Sequence, residues 1–429
     1  MRNLYHGLKG AGNADLPGDH PSDSFVQEMR APARIPFNRP YIAGKELYYI
    51  ARAVALGNIS GDGAFTQGCA KIFEERFGIP KVLMTTSCTS SLEMAAMLCD
   101  LGEGDEVLMP SFTFVSTANA VARTGAKPVF VDVRADTLNI DETKIEERVT
   151  SRTKVIMPVH YAGVGCEMDA IMAIAESHDL VVVEDAAQGV NARYKGRPLG
   201  GIGHLGTYSF HETKNYVAGE GGALCINDER FRKRGEILRD KGTNRQQFFR
   251  GEVDKYTWVD TGSSYVPSEI TCAFLYAQLE EMDSLTERRR RIFQRYFEAL
   301  EPLADQGLVT LPSTPEHCDS NCHIFYLLLP DGETRDELMF ELREHGISSV
   351  FHYVPLHSAP MAKQLGCGDA SLPVTDSVSK RLLRLPFYYE LTDEDQQEVI
   401  ERVTDFLERR ARGAAPRKHE SPGQKKEFR

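Results

Sequence analysis

Short apolar runs that alternate with helical patterns constrain the fold of this chain more than any other feature. Six runs are typical of strands, at residues 81–85, 106–109, 128–131, 154–159, 180–183 and 207–210. Helical patterns lie between several of them, for example at residues 89–101, 115–124 and 166–178. Near-continuous apolar strands separated by helices indicate a mainly parallel sheet that is buried on both faces. The sequence therefore predicts an α/β fold whose ligands bind at the carboxyl ends of the strands.

Two polar ends flank the predicted core. Residues 1–34 lack apolar periodicity and residues 413–429 form a polar tail, so both are predicted to be flexible. Residues 35–290 hold the alternating pattern and are predicted to form a large domain. A long amphipathic helix begins near Pro267, and its dense basic run, Arg288 to Arg291, is predicted to be a solvated helix face. Residues 291–412 contain further strand patterns at residues 324–329 and 348–352 and helix patterns at residues 336–345 and 393–410, which predict a smaller C-terminal α/β domain.

The composition argues against several classes of protein. The 429 residues include 62 acidic and 50 basic side chains, and the net charge of −12 argues against nucleic acid as a partner. Nine scattered cysteines, an odd number, do not resemble a disulfide framework and favour a reducing compartment. No apolar run approaches the roughly 20 residues of a membrane span, and the N-terminus lacks the apolar core of a signal peptide. We therefore expect a soluble, cytoplasmic protein without a membrane partner.

Two residues near predicted strand ends indicate the chemistry. Asp185 closes the run Val-Val-Val-Glu-Asp that starts at Val181, and Lys214 follows the strand predicted at residues 207–210. A lysine can form a Schiff base with an aldehyde cofactor, and a carboxylate can hold the proton of a pyridinium ring. A lone lysine is usually a solvated surface residue. The pair at one edge of a sheet, however, predicts catalysis that depends on pyridoxal phosphate (PLP).

The groups that would hold such a cofactor leave alternatives open. The turn of residues 86–92, Thr-Ser-Cys-Thr-Ser-Ser-Leu, follows a strand and opens a helix, so it can be a phosphate cradle or an ordinary N-cap. Together with Lys214 and Asp185, the phosphate interpretation is the better one. An aromatic side chain could stack on the cofactor ring, and the residues alone do not decide between Phe112 and Phe114.

Two other patterns are predicted to carry no site. Residues 201–206 spell G-x-G-x-x-G, but no apolar strand precedes them and a strand follows, so the dinucleotide-binding context is absent. The His-Cys and Cys-His pairs at residues 317–318 and 322–323 have cysteines at a spacing that invites a metal. No second pair lies nearby to complete a tetrahedral site, so we expect no metal.

The motifs together resemble one enzyme family. The Ser-Phe-x-x-x-Lys element that ends at Lys214 and the Glu-Asp-Ala-Ala-Gln element of residues 184–188 are typical of the DegT/DnrJ/EryC1/StrS sugar-nucleotide aminotransferases. The resemblance covers about residues 35–407 and implies the fold of the PLP-dependent aspartate aminotransferases (fold type I), in a homodimer with shared active sites. Lys-Gly-Thr-Asn-Arg at residues 241–245 and Lys-Tyr-Thr-Trp at residues 255–258 resemble one subgroup. Its members transfer the amino group of L-glutamate to C4 of dTDP-4-dehydro-6-deoxy-D-glucose.

The resemblance implies a role for each residue that matches a family motif. Lys214 would form the Schiff base with the cofactor and move the proton, and Asp185 would keep the pyridine nitrogen protonated. Gln188 would contact the phenolic oxygen of the cofactor, and Phe114 would be the residue that stacks on its ring. The residues implied to bind the phosphate are Thr89, Ser90, Ser209 and, from the neighbouring subunit, Ser264, where many relatives carry an asparagine.

For the residues that would contact the substrates, the sequence leaves alternatives open. Candidates for the nucleotide phosphates or the glutamate carboxylate are Lys241, Arg245 and Arg250, which could equally be solvated loop residues. His323 and His352 could line the sugar pocket or be ordinary core or surface histidines.

Three rival functions are also compatible with the fold. Amino transfer could occur at C3, or at C4 with the gluco configuration. A PLP-dependent sugar dehydratase would carry a histidine in place of Lys214, so the lysine argues against it. A non-catalytic PLP-binding regulator would not need to retain both Lys214 and Asp185.

Overall fold

A computed structural model of the chain describes residues 33–413, and a compact unit begins at Ile35. The predicted N-terminal extension up to residue 32, and the predicted tail from residue 414, lie outside the described residues. The strands of the described chain are β1 (Lys81–Thr85), β2 (Glu106–Pro110), β3 (Lys127–Val131), β4 (Thr153–Ile156), β5 (Val181–Asp185), β6 (Arg193–Tyr194), β7 (Arg197–Pro198), β8 (Leu205–Ser209), β9 (Gly222–Ile226), β10 (Cys318–Asp319), β11 (Tyr326–Leu328) and β12 (Leu382–Arg384).

The α-helices of the described chain follow the same order. They are α1 (Glu46–Ala55), α2 (Ala64–Phe77), α3 (Cys88–Leu98), α4 (Val115–Ala122), α5 (Met168–Ser177), α6 (Arg232–Arg239), α7 (Arg245–Phe249), α8 (Glu269–Glu280), α9 (Met282–Asp305), α10 (Gly332–Glu344), α11 (Pro360–Gln364), α12 (Pro373–Arg381) and α13 (Asp393–Ala411). None of the helices within residues 33–413 is both long and apolar enough to cross a membrane. All nine cysteines of the chain are free thiols.

Seven strands form the central sheet, in the order β1-β9-β8-β5-β4-β2-β3. Strand β9 is antiparallel to both of its neighbours, and the remaining pairs are parallel. Side chains of β1 alternate between two apolar clusters, with Met84 in the cluster of Phe73 of α2 and Leu83 in the cluster of Leu92 of α3. Both faces of the sheet are therefore buried. The prediction of an α/β fold with a mainly parallel sheet is confirmed.

The C-terminal part of the chain packs around a small antiparallel ribbon. Strands β11 and β12 pair with Leu327 opposite Leu383, and both side chains belong to an apolar cluster that α9, α10 and α13 cover. The predicted strand at residues 348–352 is only a single bridge between Val350 and Arg384. The predicted boundary between residues 290 and 291 falls inside the continuous helix α9, and the division into two domains stays a prediction.

The basic run on α9 is not simply a solvated face. Arg289 is buried, and its Nε and Nη2 atoms donate to the carbonyl oxygens of Cys322 and His323. Its Cζ atom also lies 4.6 Å from the ring centre of Phe387. The prediction of a solvated face was therefore wrong for Arg289, because the helix turns this position toward the C-terminal strands. Arg291 on the same helix is exposed, as predicted.

Candidate active site

A cleft of about 540 Å³ lies at the carboxyl ends of β5 and β8. The central sheet and its helices form one wall, and the C-terminal part of the chain forms the other. Eight of the residues singled out from the sequence line it: Thr89, Phe114, Asp185, Gln188, Ser209, Lys214, His323 and His352. The edge of the sheet at which a parallel fold binds ligands is thus where the predicted residues meet.

Asp185 and Lys214 reach the cleft from neighbouring strands. Asp185 is the last residue of β5, and it pairs with Thr207 of β8. Lys214 lies in the turn after β8, where its N–H donates to the carbonyl oxygen of His211 at 2.9 Å. Because β5 and β8 are adjacent, the turn that carries Lys214 faces the same space as the carboxylate of Asp185.

Burial shifts the proton affinities of both groups. Desolvation lowers the pKa of Lys214 and the charge of Arg384 lowers it further, while Cys88 and Asp185 act in the opposite direction. Desolvation raises the pKa of Asp185, whereas hydrogen bonds from Thr117 and from the N–H of Ala187 lower it. The lysine is therefore more easily a neutral amine than a lysine in water. The ionised form of Asp185 depends on its hydrogen-bond donors.

Thr117, which the sequence analysis did not single out, holds the carboxylate of Asp185. Its Oγ1 donates to Oδ2 of Asp185 at 2.8 Å, and the N–H of Ala187 donates to Oδ1 at 3.2 Å. The hydroxyl of Thr113 lies 2.9 Å from that of Thr117. Since Thr117 donates its own proton to Asp185, it accepts the proton of Thr113. A chain of two hydroxyls thus fixes the orientation of the acid.

The first turn of α3 forms an anion cradle at the floor of the cleft. Ser87 is the N-cap and accepts the N–H of Ser90 at 3.1 Å. The N–H groups of Cys88 and Thr89 have no acceptor among the described residues, as expected for the start of a helix. Ser209 lies at the end of the adjacent β8, and its side chain faces the same space. The turn is thus an N-cap whose first N–H groups stay available to an anion, so the two interpretations do not exclude each other.

Ser90 and Gly222 shape this cradle without lining the cleft. The hydroxyl of Ser90 is engaged with those of Thr86 and Ser87, at 2.9 and 3.0 Å. Strand β9 runs directly against the turn, and a Cβ added to Gly222 would lie 2.4 Å from the nitrogen of Cys88. Only a glycine allows the strand to approach the start of α3 this closely.

The two phenylalanines that the residues alone left open lie in different environments. Phe112 is buried and packs against the ring of Tyr161, with the ring centres 5.3 Å apart. Phe114 is 57% exposed and lines the cleft. Only the ring of Phe114 is available to a planar ligand.

Gln188 is held in place by two hydrogen bonds. Its Oε1 accepts the N–H of Ala162 at 2.7 Å, and its Nε2 donates to the hydroxyl of Tyr353 at 2.9 Å. Tyr353 itself lines the cleft and was not predicted from the sequence. One hydrogen of the Gln188 amide stays available to an acceptor in the cleft.

Both predicted histidines lie in the cleft and favour the neutral form. Nδ1 of His323 lies 2.8 Å from Oδ1 of Asn215, whose amide nitrogen donates to the carbonyl of Asn321. Oδ1 is therefore an acceptor, Nδ1 carries the proton, and Nε2 of His323 presents a lone pair. Burial, together with nearby cations, holds the pKa of His323 and of His352 well below the usual value. His352 contacts the hydroxyl of Tyr161 at 2.7 Å.

Comparison with known proteins identifies the family of this chain. The model of the DegT/DnrJ/EryC1/StrS aminotransferase family matches residues 40–404. The chain belongs to this family. The spore coat polysaccharide biosynthesis protein SpsC of Bacillus subtilis (strain 168) is 35% identical over 381 residues, which are 87% of this chain and 97% of SpsC.

Two solved structures are similar along nearly their whole length. DesV of S. venezuelae, in complex with a ketimine intermediate, has a TM-score of 0.79 and 30% identity and covers 88% of this chain and 100% of its own. The PMP-form of the putative sugar aminotransferase Spr1654 from Streptococcus pneumoniae has a TM-score of 0.81 and 27% identity, over 89% of this chain and 99% of its own. The present protein is thus a PLP-dependent transaminase of a sugar aminotransferase family, which confirms the predicted enzyme class and cofactor.

The residues that line the cleft of this chain fit each part of PLP. The unpaired N–H groups at the start of α3, with the hydroxyls of Thr89 and Ser209, suit the phosphate. The exposed ring of Phe114 suits a planar ring, and the buried Asp185 suits a pyridinium nitrogen. Lys214 is an amine whose lowered pKa suits bond formation with an aldehyde. Within residues 33–413, no group of three or more metal-ligating side chains could hold a metal ion.

Besides Ser90, four predicted site residues do not line the cleft of their own chain. Lys241 and Arg245 flank the carboxylate of Asp240, at 3.2 and 3.8 Å, and Arg250 forms an ion pair with Glu236 at 2.8 Å. The fourth, Ser264, is exposed, and its backbone forms a bridge with Asp240. These residues therefore belong to one surface segment, and their roles in the family stay proposals.

Proposed function

We propose that this aminotransferase moves the amino group of L-glutamate to C4 of dTDP-4-dehydro-6-deoxy-D-glucose. The products are dTDP-4-amino-4,6-dideoxy-D-galactose and 2-oxoglutarate. The observation that carries the proposal is that an amine with lowered pKa, Lys214, and a buried acid, Asp185, face one cleft. The choice of sugar is supported by the motifs at residues 241–245 and 255–258, which resemble those of the C4 transaminases.

When bound, PLP supplies an aldehyde carbon that bonds to amines and a pyridine ring that accepts electrons from a breaking C–H bond. Asp185 holds a proton at the ring nitrogen, and Thr117 keeps the acid ionised for this purpose. Nζ of Lys214, as a neutral amine, takes a proton from the carbon that bears the amino group of glutamate. It returns a proton to the sugar carbon in the second half of the reaction.

The neutral histidines suit a sugar rather than a second anion. Nε2 of His323 is an acceptor, so it can receive a hydrogen bond from a sugar hydroxyl. His352 stacks on Tyr353, with ring centres 3.7 Å apart, and both residues line the cleft that a pyranose would enter. We propose these residues as the sugar pocket.

The proposed active site is shared between two copies of the chain. Ser264, Lys241, Arg245 and Arg250 do not reach the cleft of their own chain. The same segment exposes Trp258, which is 76% exposed, and Phe249, which is 63% exposed. We propose that this segment packs on a second copy, where Ser264 contacts the cofactor phosphate and the basic side chains contact substrate anions.

The free thiols support a reducing, cytoplasmic location.

The visible absorbance of the purified, PLP-loaded protein tests the proposal. We expect the band of lysine-bound PLP to disappear with glutamate and to return when dTDP-4-dehydro-6-deoxy-D-glucose is added. Loss without return would retain the aminotransferase but reject this sugar. The absence of any band after added PLP would refute the role of Lys214. Proton couplings in the NMR spectrum of the product separate C4 from C3 transfer, and galacto from gluco configuration.

A further inference from the structure

The two histidines of the cleft are held by partners of opposite character. Nδ1 of His323 lies 2.8 Å from Oδ1 of Asn215, and Nδ1 of His352 lies 2.7 Å from the hydroxyl of Tyr161. Both histidines line the cleft, and Nε2 of each has no partner among residues 33–413. A neutral imidazole carries one proton, so the partner at Nδ1 decides whether Nε2 accepts or donates a hydrogen bond.

The amide of Asn215 is fixed in one orientation. Its Nδ2 donates to the carbonyl oxygen of Asn321 at 3.1 Å, and a carbonyl oxygen can only accept. Oδ1 therefore faces His323 as an acceptor, and Nδ1 of His323 carries the proton. The side chain of Asn321 is itself anchored on the carbonyl oxygens of Gln188 and Val190, both at 2.8 Å. Nε2 of His323 is thus held as an acceptor toward the cleft.

The hydroxyl of Tyr161 imposes the opposite state on His352. Tyr161 is buried, and among the described residues Nδ1 of His352 is the acceptor within reach of its proton. A buried hydroxyl without an acceptor for its proton is costly, so Tyr161 donates to Nδ1. Burial also raises the pKa of Tyr161 well above its usual value, which keeps that proton on the oxygen. The proton of His352 is therefore on Nε2, which is a donor toward the cleft.

Basic side chains around the two histidines keep both rings neutral. The groups that act on His323 are Lys214 from the turn after β8, Arg289 from α9, Arg384 from β12, and His352. Arg384 and Lys214 act on His352 as well. Together with burial, they hold the pKa of each histidine well below its usual value. One ring nitrogen of each histidine therefore keeps its lone pair at neutral pH.

We propose that Asn215 and Tyr161 are positioning residues that fix the two histidines as an acceptor and a donor for neighbouring oxygens of the keto sugar. This inference rests on the proposed function, in which a pyranose enters the cleft. Adjacent ring positions of a keto sugar offer a hydroxyl, which donates to His323, and a hydroxyl or carbonyl oxygen, which accepts from His352. A carboxylate offers acceptors alone and would meet the lone pair of His323. The pair therefore favours the sugar over an anion.

NMR of the histidine ring nitrogens in the isotope-labelled, PLP-loaded protein tests the two tautomers without turnover. A protonated nitrogen and one with a lone pair differ in chemical shift, and His323→Gln and His352→Gln assign the signals. We expect the proton on Nδ1 of His323 and on Nε2 of His352. Tyr161→Phe should abolish the preference of His352 alone, whereas the control Tyr48→Phe, which removes an exposed hydroxyl from α1, should change neither histidine. The same tautomer in both rings would overturn the proposal.

The half-reactions test what the pair recognises. In Tyr161→Phe and Asn215→Leu, the sugar concentration that gives half the maximal single-turnover rate of the pyridoxamine-loaded protein should rise about three- to tenfold, the effect of one lost neutral hydrogen bond. The maximal rate with the sugar, and the rate with glutamate, should change less than about twofold, because neither residue contacts the reacting amine. An unchanged sugar concentration, or equal losses with glutamate and the sugar, would contradict the proposal.

Asn215→Asp gives a readout that a purely structural role would not move. Its carboxylate still accepts the proton of Nδ1, but the negative charge favours the imidazolium and raises the pKa of His323. Once protonated, Nε2 cannot accept from a hydroxyl, so the sugar half-reaction should weaken at a higher pH than in the wild type. It is measured on both sides of about pH 6.5, the ordinary pKa of histidine. Asp185, His211 and Glu220 also line the cleft and are common to both proteins. A profile identical to that of the wild type would refute the role of Asn215.

Failure of the proposed function gives a different result. If the wild type reacts with glutamate but with no dTDP-sugar, the sugar assignment fails, and the tautomers seen by NMR still decide whether Asn215 and Tyr161 position the histidines. If Asn215→Leu does not fold, the pH profile of Asn215→Asp decides, because aspartate keeps the shape of asparagine and an acceptor beside Nδ1 of His323.

Discussion

The hydrogen bond from Thr117 to Asp185 makes a quantitative prediction for the protein without its cofactor. Thr117→Val keeps the shape of the side chain but removes the donor that lies 2.8 Å from Oδ2 of Asp185. A hydrogen bond to a charged group contributes about 1.5–3 kcal/mol. At 1.36 kcal/mol for each pKa unit, its loss should raise the pKa of Asp185 further, by about 1–2 units. At pH 7 the free energy of unfolding should fall by about 2 kcal/mol.

The sign of the pH dependence follows from the direction of the shift. Burial raises the pKa of Asp185 above its unfolded value, so the folded protein binds this proton more tightly than the unfolded chain. The cost of the buried charge is fully present above the folded pKa and disappears as the pH falls below the unfolded value. In Thr117→Val that cost is larger. The difference from the wild type should therefore be greatest near pH 7 and shrink to about 1 kcal/mol, the value of a neutral hydrogen bond, once Asp185 is protonated.

Urea unfolding of the cofactor-free protein between pH 7.5 and pH 4.5 measures this difference. The protein concentration is held constant, because the stability of any assembly depends on it. Thr113→Val is the matched control, since it removes the partner of Thr117 and leaves the donor to Asp185 in place. Its effect should be small and independent of pH. A difference for Thr117→Val that does not change with pH would refute the reasoning, as would the same pH dependence in the control.

Three further substitutions test the remaining parts of the site. Lys214→Ala should abolish turnover and the absorbance band of lysine-bound PLP, and residual transamination would contradict its role. Asp185→Asn should keep the cofactor bound but lower turnover by orders of magnitude, because asparagine cannot hold the ring proton by charge; near-normal kinetics would argue against this. Gly222→Ala places a Cβ 2.4 Å from the nitrogen of Cys88, so PLP binding should weaken at least about tenfold, measured by fluorescence titration. Gly102→Ala, whose added Cβ meets nothing within 4 Å, should bind PLP normally.

The sequence could predict the central sheet because its strands are buried on both faces. Short apolar runs such as residues 81–85 and 181–183, which alternate with helical patterns along the chain, are typical of strands that are buried on both faces. Strand β9 was missed, since it begins at Gly222 within a stretch rich in glycine, which favours turns. The predicted strand at residues 348–352 failed for a different reason. Only Val350 pairs with another strand, at Arg384 of β12, and Phe351 is 50% exposed instead of being buried in a sheet.

Site residues could be predicted only where the residue type and its position next to a predicted strand were enough to indicate its chemistry. Asp185 ends β5 and Lys214 follows β8, and a parallel sheet brings the carboxyl ends of its strands to a common edge. Thr117, Tyr353 and Arg384 depend on partners that are distant in sequence, so no local pattern distinguishes them from ordinary polar residues. Thr113 precedes Phe114, the N-cap of α4, so its spacing of four from Thr117 is not a helical repeat and gave no usable signal.

The glycine-rich stretch at residues 201–206 shows why such a motif needs its context. The carboxylate of Glu184, which is fully buried, is the anion that this loop surrounds, and His160 lies 2.8 Å from its Oε2. A Cβ at Gly206 would lie 2.2 Å from the carbonyl oxygen of Gly200, so the glycines serve close packing of the chain against itself. The backbone N–H groups that donate to Glu184 are those of Gly200, Ile202 and Gly203. Because these N–H groups already donate to Glu184, they are not available to a dinucleotide phosphate. The loop instead fixes Glu184, the residue before Asp185.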